Sequence, residues 1–165
     1  MRLKERTFAF GNPFAGGFEE RLEEAGRKLG IPVFNVPYHQ KLLNEQSAAY
    51  MGLADIHQYH PSKDAFGEAD LVLMVGGRLD NQMNFGNPPL FPRGAELVCV
   101  NGSHEEGDFN RAADMTLLSD PGAFLDALVS LGDAARDGRD AAWLERNRLR
   151  RSEWVAKMHA DVDAE

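Results

Sequence analysis

The stretch "ADLVLMVGGRLDNQMNFG" (Ala69–Gly86) decides how the rest of this sequence is read. Five apolar residues, Leu71 to Val75, run without alternation into Gly76 and Gly77. Arg78 and a polar loop closing at Gly86 follow. An unbroken apolar run of this length suits a strand covered on both faces, the situation in parallel sheets with helices on either side. The paired glycines let the backbone turn sharply or approach a ligand closely, and the arginine sets a cation beside them.

Four further runs repeat the pattern: "RTFAFG" (Arg6–Gly11), "IPVFNV" (Ile31–Val36), "ELVCVN" (Glu96–Asn101) and "MTLLSD" (Met115–Asp120). Helical patterns separate them. Phe18, Leu22, Ala25 and Leu29 recur every three or four residues, which places them on one helical face, and Gly30 supplies the stop. "PGAFLDALVSLG" repeats the device, with Phe124, Leu125, Leu128 and Leu131 facing inward and Gly132 ending the helix. Strand, helix, strand in this rhythm predicts an α/β fold: a doubly wound parallel sheet of five to six strands flanked by helices, with right-handed crossovers.

The segment from Tyr38 to Asp70 is less regular and reads as one or two helices with a long loop around Gly52. "NFGNPPLFPRGA" reads as a loop crossing the sheet edge. After Gly132 the composition becomes charge-rich. The expected division is a sheet domain over residues 1–132 and a C-terminal helical extension over 133–165, a connector toward a neighbouring domain. Trp143, Trp154 and Met158 make a narrow apolar stripe on that helix, which either packs back on its own domain or lies against another.

A chain of 165 residues is large enough for one domain with a core that needs no disulfide or metal. The net charge of −8 argues against a nucleic-acid surface, which needs a basic footprint. Cys99, the single cysteine, sits in an apolar run and reads as a small core residue. "MRLKERTFAFG" lacks the apolar core of a leader, and no run approaches membrane-spanning length, so a cytoplasmic location is expected.

In an open parallel sheet, ligands bind outside the carboxyl ends of the strands, near the switch in strand order. The residues expected there are Gly11 and Asn12 after the first strand, Gly76, Gly77 and Arg78, then Asn101, Gly102 and Ser103, and finally Asp120. Glycine-rich turns and helix N-terminal amides suit a phosphate, which leaves a nucleotide site and a set of plain tight turns as the two readings. Neither the dinucleotide fingerprint nor the P-loop is present. Catalytic patterns are weaker. His57 and His60 share helical spacing without a third ligand, Ser103 lacks the second glycine of a nucleophile elbow, and the acids of "HEEGD" read as solvated.

Taken in order, "LGIPVF", "NEQSAAYMG", "ADLVLMVGGRLD" and "LLSDPGAFLDALVSL" resemble the central domain of thiamine-diphosphate-dependent enzymes of the acetolactate synthase, pyruvate oxidase and benzoylformate decarboxylase group. The resemblance covers roughly Thr7 to Leu131 and implies a six-stranded Rossmann-like domain between a pyrimidine-binding and a diphosphate-binding domain. Some relatives hold FAD there, others ADP or coenzyme A, and many nothing. By position, Gly11, Asn12, Gly52, Gly76, Gly77, Arg78, Asn101, Gly102, Ser103 and Asp120 would line that site. Asn101 and Ser103 stand where the family carries two acids, His104 replaces a proline and Ala54 a glycine, which weighs toward an empty, structural domain.

The family's catalytic glutamate and its Gly-Asp-Gly magnesium motif belong to the other two domains, and this sequence has no Gly-Asp-Gly. The resemblance therefore implies part of a lyase or transferase that uses thiamine diphosphate and magnesium on 2-oxo acids or related acyl donors. No catalysis is expected from this chain alone. The other two domains are its expected partners, within a homo-oligomer in the full-length form. Two rival expectations are a free-standing nucleotide-binding subunit that regulates or assembles a separate enzyme, and a hydrolase using the acids of "NGSHEEGDF".

Overall fold

The structure, a computed structural model, describes residues 3–11, 18–35, 46–54, 60–88, 91–107, 110–136 and 140–163. Six strands form one sheet: β1 (Thr7–Gly11), β2 (Val33–Asn35), β3 (Tyr50–Leu53), β4 (Leu71–Val75), β5 (Glu96–Asn101) and β6 (Met115–Leu118). Their order is β3-β2-β1-β4-β5-β6 and every pairing is parallel. This is the doubly wound α/β arrangement expected, with the strand order reversing between β1 and β4.

The unalternating strands are covered on both faces, as their sequence requires. On one face Ala9, Val33, Leu71, Leu73, Val75, Val98 and Val100 pack with Leu22, Ala25 and Leu29 of α1 (Phe18–Leu29) and Leu125 and Leu128 of α4 (Pro121–Ser130). On the other, Phe34, Met51, Val72, Met74, Leu97 and Cys99 meet Ala65 and Phe66 of α2 (His60–Glu68), together with Phe91 and Trp143. The period-two alternation along β4 divides its residues between the two cores.

Helix α1 carries Glu19 and Glu20 in its first turn and Arg27 and Lys28 in its last, both matched to the helix dipole. Gly30 ends it at φ 65°, a left-handed stop that favours glycine. Gly26 meets the sheet: a Cβ built there lies 2.6 Å from Ala49 Cβ and 2.9 Å from Val33 Cγ2. Helix α4 is capped by Asp120, whose Oδ1 accepts from Ala123 N at 2.8 Å, with proline following at N1. A short α5 (Asp133–Arg136) follows.

Three expectations need correction. Gly52 lies within β3, not in a long loop, and takes φ 107° beside a register shift against β2. "YMGL" is too short and too glycine-broken to show strand periodicity, and only pairing with β2 makes it one. Second, β6 is an edge strand, with Met115 41% and Leu118 55% exposed. An apolar run does not tell an edge from a centre. Third, Leu131 is 51% exposed, because α4 stops at Ser130 and the chain turns away at Gly132 (φ 52°).

The charge-rich tail forms α6 (Trp143–Asp163), and its two halves differ. Trp143 is fully buried and Trp154 packs against the same core, whereas Met158 is 43% exposed. Arg150 pairs with Glu68 of α2, and the Arg146 guanidinium lies 5.4 Å from the Trp143 ring centroid. The apolar stripe therefore docks on this domain through its first part and continues into solvent. Among the described residues no helix is long and apolar enough to cross a membrane.

Candidate functional site

Because all six strands run in parallel, their carboxyl ends share one edge. Gly11 ends β1 in register with Asn35, the last residue of β2, and with Val75, the last residue of β4. Gly76 follows β4 at φ 69°, and its N–H donates to Val100 O at 2.7 Å. That turn ties the loop after β4 to the end of β5. Asn101 extends the tie: its Nδ2 donates to Gly77 O at 3.2 Å, and its Oδ1 accepts from Ser103 N at 3.3 Å. Ser119 N then donates to Asn101 O at 3.0 Å, which joins the loop after β6.

Of the sequence-predicted residues, the fold brings Gly76, Gly77, Arg78, Asn101, Gly102 and Ser103 into one pair of adjoining loops. Asp120 lies on the next loop, where its carboxylate serves as the α4 cap. Gly52 lies in the outermost strand on the other side of β1. Asn12 falls outside the described residues. A Cβ built on Gly102 meets no heavy atom within 4 Å, so the top of the β5 loop is open.

The electrostatics differ from those of a bare cation beside glycines. Arg78 Nη2 lies 2.5 Å from Glu106 Oε1, with the arginine side chain 51% exposed. Glu106 belongs to α3 (His104–Gly107), on the β5 loop. Glu105 accepts from Ser103 Oγ at 3.3 Å. The acids of "HEEG" thus engage neighbouring side chains, and an anion arriving at Arg78 competes with Glu106.

The loop after Arg78 departs from anything its sequence signals. Asn84 (φ 47°), Phe85 (φ 53°) and Gly86 (φ 73°) are consecutive left-handed residues, with Phe85 44% exposed. Such a backbone costs a non-glycine residue roughly 1–2 kcal/mol. It is held by Phe85 N–H donating to Asp80 O at 2.8 Å, by Asn84 Nδ2 donating to Asn87 O at 3.2 Å, and by Arg111 Nη1 donating to Gly86 O at 2.9 Å.

Sequence reasoning missed Asn35. It is fully buried, and neither atom of its carboxamide has a hydrogen-bond partner among the described residues. The one available signal was a polar side chain closing an apolar strand, which by itself reads as a turn residue.

No metal cluster forms: among the described residues no three His, Cys, Asp or Glu side chains converge. Cys99 is buried, as expected of a core residue. His57 lies outside the described residues, as does the His60 side chain, so that pairing has no structural account. A separate cleft of about 290 Å³ opens at the start of β3 against α6, lined by Ser47, Tyr50, Glu145, Arg148, Arg151 and Ser152. The Arg151 guanidinium lies 5.0 Å from the Tyr50 ring centroid.

The family model described as "Thiamine pyrophosphate enzyme, central domain" matches residues 9–128. The acetolactate synthase large subunit of Parasynechococcus marenigrum (strain WH8102) is 27% identical over 137 residues, which cover 82% of this chain and 22% of that protein. The acetolactate synthase large subunit of Cyanidium caldarium is 26% identical over 132 residues, covering 78% of this chain and 22% of its own length. The chain thus spans about a fifth of the length of these curated relatives.

Proposed function

The chain belongs to the thiamine pyrophosphate enzyme central-domain family, and from that premise we propose that it serves an enzyme acting on 2-oxo acids or related acyl donors. Its role there is architectural, with a nucleotide site at the carboxyl edge of the sheet. The observation that carries this reading is the extent of the family match, residues 9–128, which takes in nearly the whole sheet and both helices of one face. The likeness to two acetolactate synthase large subunits supports the substrate class.

Thiamine diphosphate does not fit the donors of this chain. Among the described residues no acidic or imidazole cluster is present to hold a diphosphate-bound cation, and the sequence has no Gly-Asp-Gly. No step through the cofactor is assigned to these residues. They supply a rigid parallel sheet, a packed spacer and the exposed face of α6, against which the other two domains of a cytoplasmic, homo-oligomeric enzyme are placed.

The nucleotide part of the reading rests on Gly76, Gly77, Arg78, Asn101, Gly102 and Ser103, with Gly11, Asn12, Gly52 and Asp120 around them. Arg78 supplies the positive charge, and a charge-assisted contact of this kind is worth roughly 1.5–3 kcal/mol. Calorimetric titration of the chain tests both parts. With magnesium present, thiamine diphosphate is expected not to bind at micromolar concentration, and binding would overturn the architectural role. Where ADP, coenzyme A or FAD binds, Arg78→Ala is expected to weaken that binding by about ten- to a hundredfold. Equal binding by the variant removes Arg78 from the site. No binding at millimolar concentration reduces the loops to turns in a structural spacer.

A further inference from the structure

We propose that the cleft between the start of β3 and α6 is a second ligand site, for a small dianion such as a compact phosphate ester or dicarboxylate. It is independent of the nucleotide reading. Tyr50 opens β3 in register with Val33, the first residue of β2. With every strand parallel, the cleft lies at the amino-terminal edge of the sheet, opposite the loops of Gly76, Arg78 and Asn101.

Charge singles out this cleft. The chain carries a net charge of −8, yet the cleft is lined by two arginines against one glutamate. Both arginines come from "RNRLRR" (Arg146–Arg151), which holds four. Arg146 and Arg150 serve docking, the first paired with Asp140 at 2.6 Å and the second with Glu68 of α2. Arg148 and Arg151 lie three residues apart, which makes them neighbours on the helix surface, and both line the cleft. Arg148 meets Glu145 one turn back at 3.0 Å, with the two side chains 50% and 72% exposed. Such a pair is weak in water, and an arriving dianion displaces the carboxylate.

The walls suit a phosphoryl or carboxylate group. The Arg151 guanidinium lies 5.0 Å from the ring centroid of Tyr50, and that ring is buried. Stacking engages the face of a guanidinium, whereas its five N–H donors lie in the plane, where an anion receives two at once. From the β3 side Ser47 is buried, and its hydroxyl accepts from Ala49 N at 3.3 Å, which leaves the hydroxyl proton to donate. Leu149 gives an apolar wall for a carbon body. At about 290 Å³ the cleft is at the small end of ligand pockets, which run roughly 300–1,000 Å³, so it takes a compact molecule rather than a dinucleotide.

The test titrates the full chain with inorganic phosphate and with succinate by calorimetry at low ionic strength, with singly charged acetate as the control. At least one dianion is expected to bind in the millimolar range, and acetate is not. Phosphate alone binding identifies a phosphoryl ligand, and succinate alone a dicarboxylate; either supports the proposal. Arg148→Gln and Arg151→Gln are each expected to weaken that binding by about tenfold. Glu145→Gln, which spares both arginines, is expected to strengthen it by about two- to fivefold, the reach of an exposed ion pair. Absence of binding by either dianion at millimolar concentration would overturn the proposal. So would affinity unchanged in both arginine variants, or a loss produced by Arg78→Ala and by neither of them, which would put the anion in the loops of the opposite edge. Glu145 and Arg148 are exposed and outside both cores, so their variants keep the fold and the outcome reads on the cleft.

Discussion

The indole Nε1 of Trp143 donates a 2.9 Å hydrogen bond to the carbonyl oxygen of Thr7, the first residue of β1. One contact therefore ties the start of α6 to the central strand region of the sheet. The Trp143 carbonyl oxygen also accepts from Asn147 Nδ2 at 2.8 Å, and both residues are buried. The helix is anchored at its N-terminal end, with its ring inside the core formed by Phe34, Phe66 and Phe91.

Trp143→Ala is expected to destabilise the chain by about 3–5 kcal/mol, the range for removing a buried large aromatic. Trp143→Phe keeps most of the packing and leaves the Thr7 carbonyl without this donor, a loss of about 1–3 kcal/mol. Urea unfolding midpoints would check the order. A Phe variant as weak as the Ala variant would mean that the hydrogen bond outweighs the packing.

Amide exchange along α6 should divide between its two parts. Residues from Trp143 to Trp154 pack on the sheet domain and are expected to be protected nearly as well as β4. Residues 156–163 are exposed throughout and should exchange rapidly, since a helix without tertiary packing is marginal. Uniform protection over the whole helix would show that its second half has a partner.

Glu106→Gln is expected to strengthen binding of ADP by about two- to fivefold. The carboxylate pairs with Arg78 across a partly exposed surface, and such pairs contribute roughly 0–1 kcal/mol. Removing its charge leaves Arg78 with one competitor fewer for a phosphate. Unchanged affinity in a titration would mean that the ligand does not meet Arg78.

Gly26 and Gly67 should respond to alanine with opposite signs. Gly26→Ala drives a methyl group into Ala49 and Val33 and should cost about 1–3 kcal/mol, despite the better helix propensity. Gly67, in α2, has nothing within 4 Å of a built Cβ, so Gly67→Ala should stabilise by about 0.5–1 kcal/mol. Thermal melts of the two variants check the contrast.

Asp140 makes part of the stability depend on pH. The hydrogen bond from Arg146 and the backbone N–H of Ala142 hold its carboxyl below its ordinary value of 3.8. A carboxylate whose pKa falls on folding stabilises fully above its unfolded value, and that contribution is lost as pH falls through the folded value. The stability difference between the parent chain and Asp140→Asn should therefore be constant above about pH 5 and shrink in acid below the ordinary value. Urea midpoints across pH 2–7 would show it, and a pH-independent difference would refute it.

The strands at Thr7–Gly11, Leu71–Val75 and Glu96–Asn101 and the helix from Phe18 to Leu29 were legible in the sequence, because each is a local pattern; the cap at Asp120 was not, and that residue was read there only as part of the ligand site. An unbroken apolar run and a 3.6-residue stripe act through residues a few positions apart. The parallel class of the sheet followed from their alternation, and the loops after β4 and β5 from their glycines. What the tertiary structure alone decided depends on contacts between distant segments. Tyr50–Leu53 is a strand because β2 lies beside it, and Met115–Leu118 is an edge because, among the described residues, only β5 pairs with it. Arg78 meets Glu106 because β4 and β5 are neighbours, and Trp143 reaches Thr7 because α6 folds back across the sheet. Asn35 shows the same limit. Its place at a strand end was visible, but its burial and its unpaired amide arise from the packing of segments far from it in the chain.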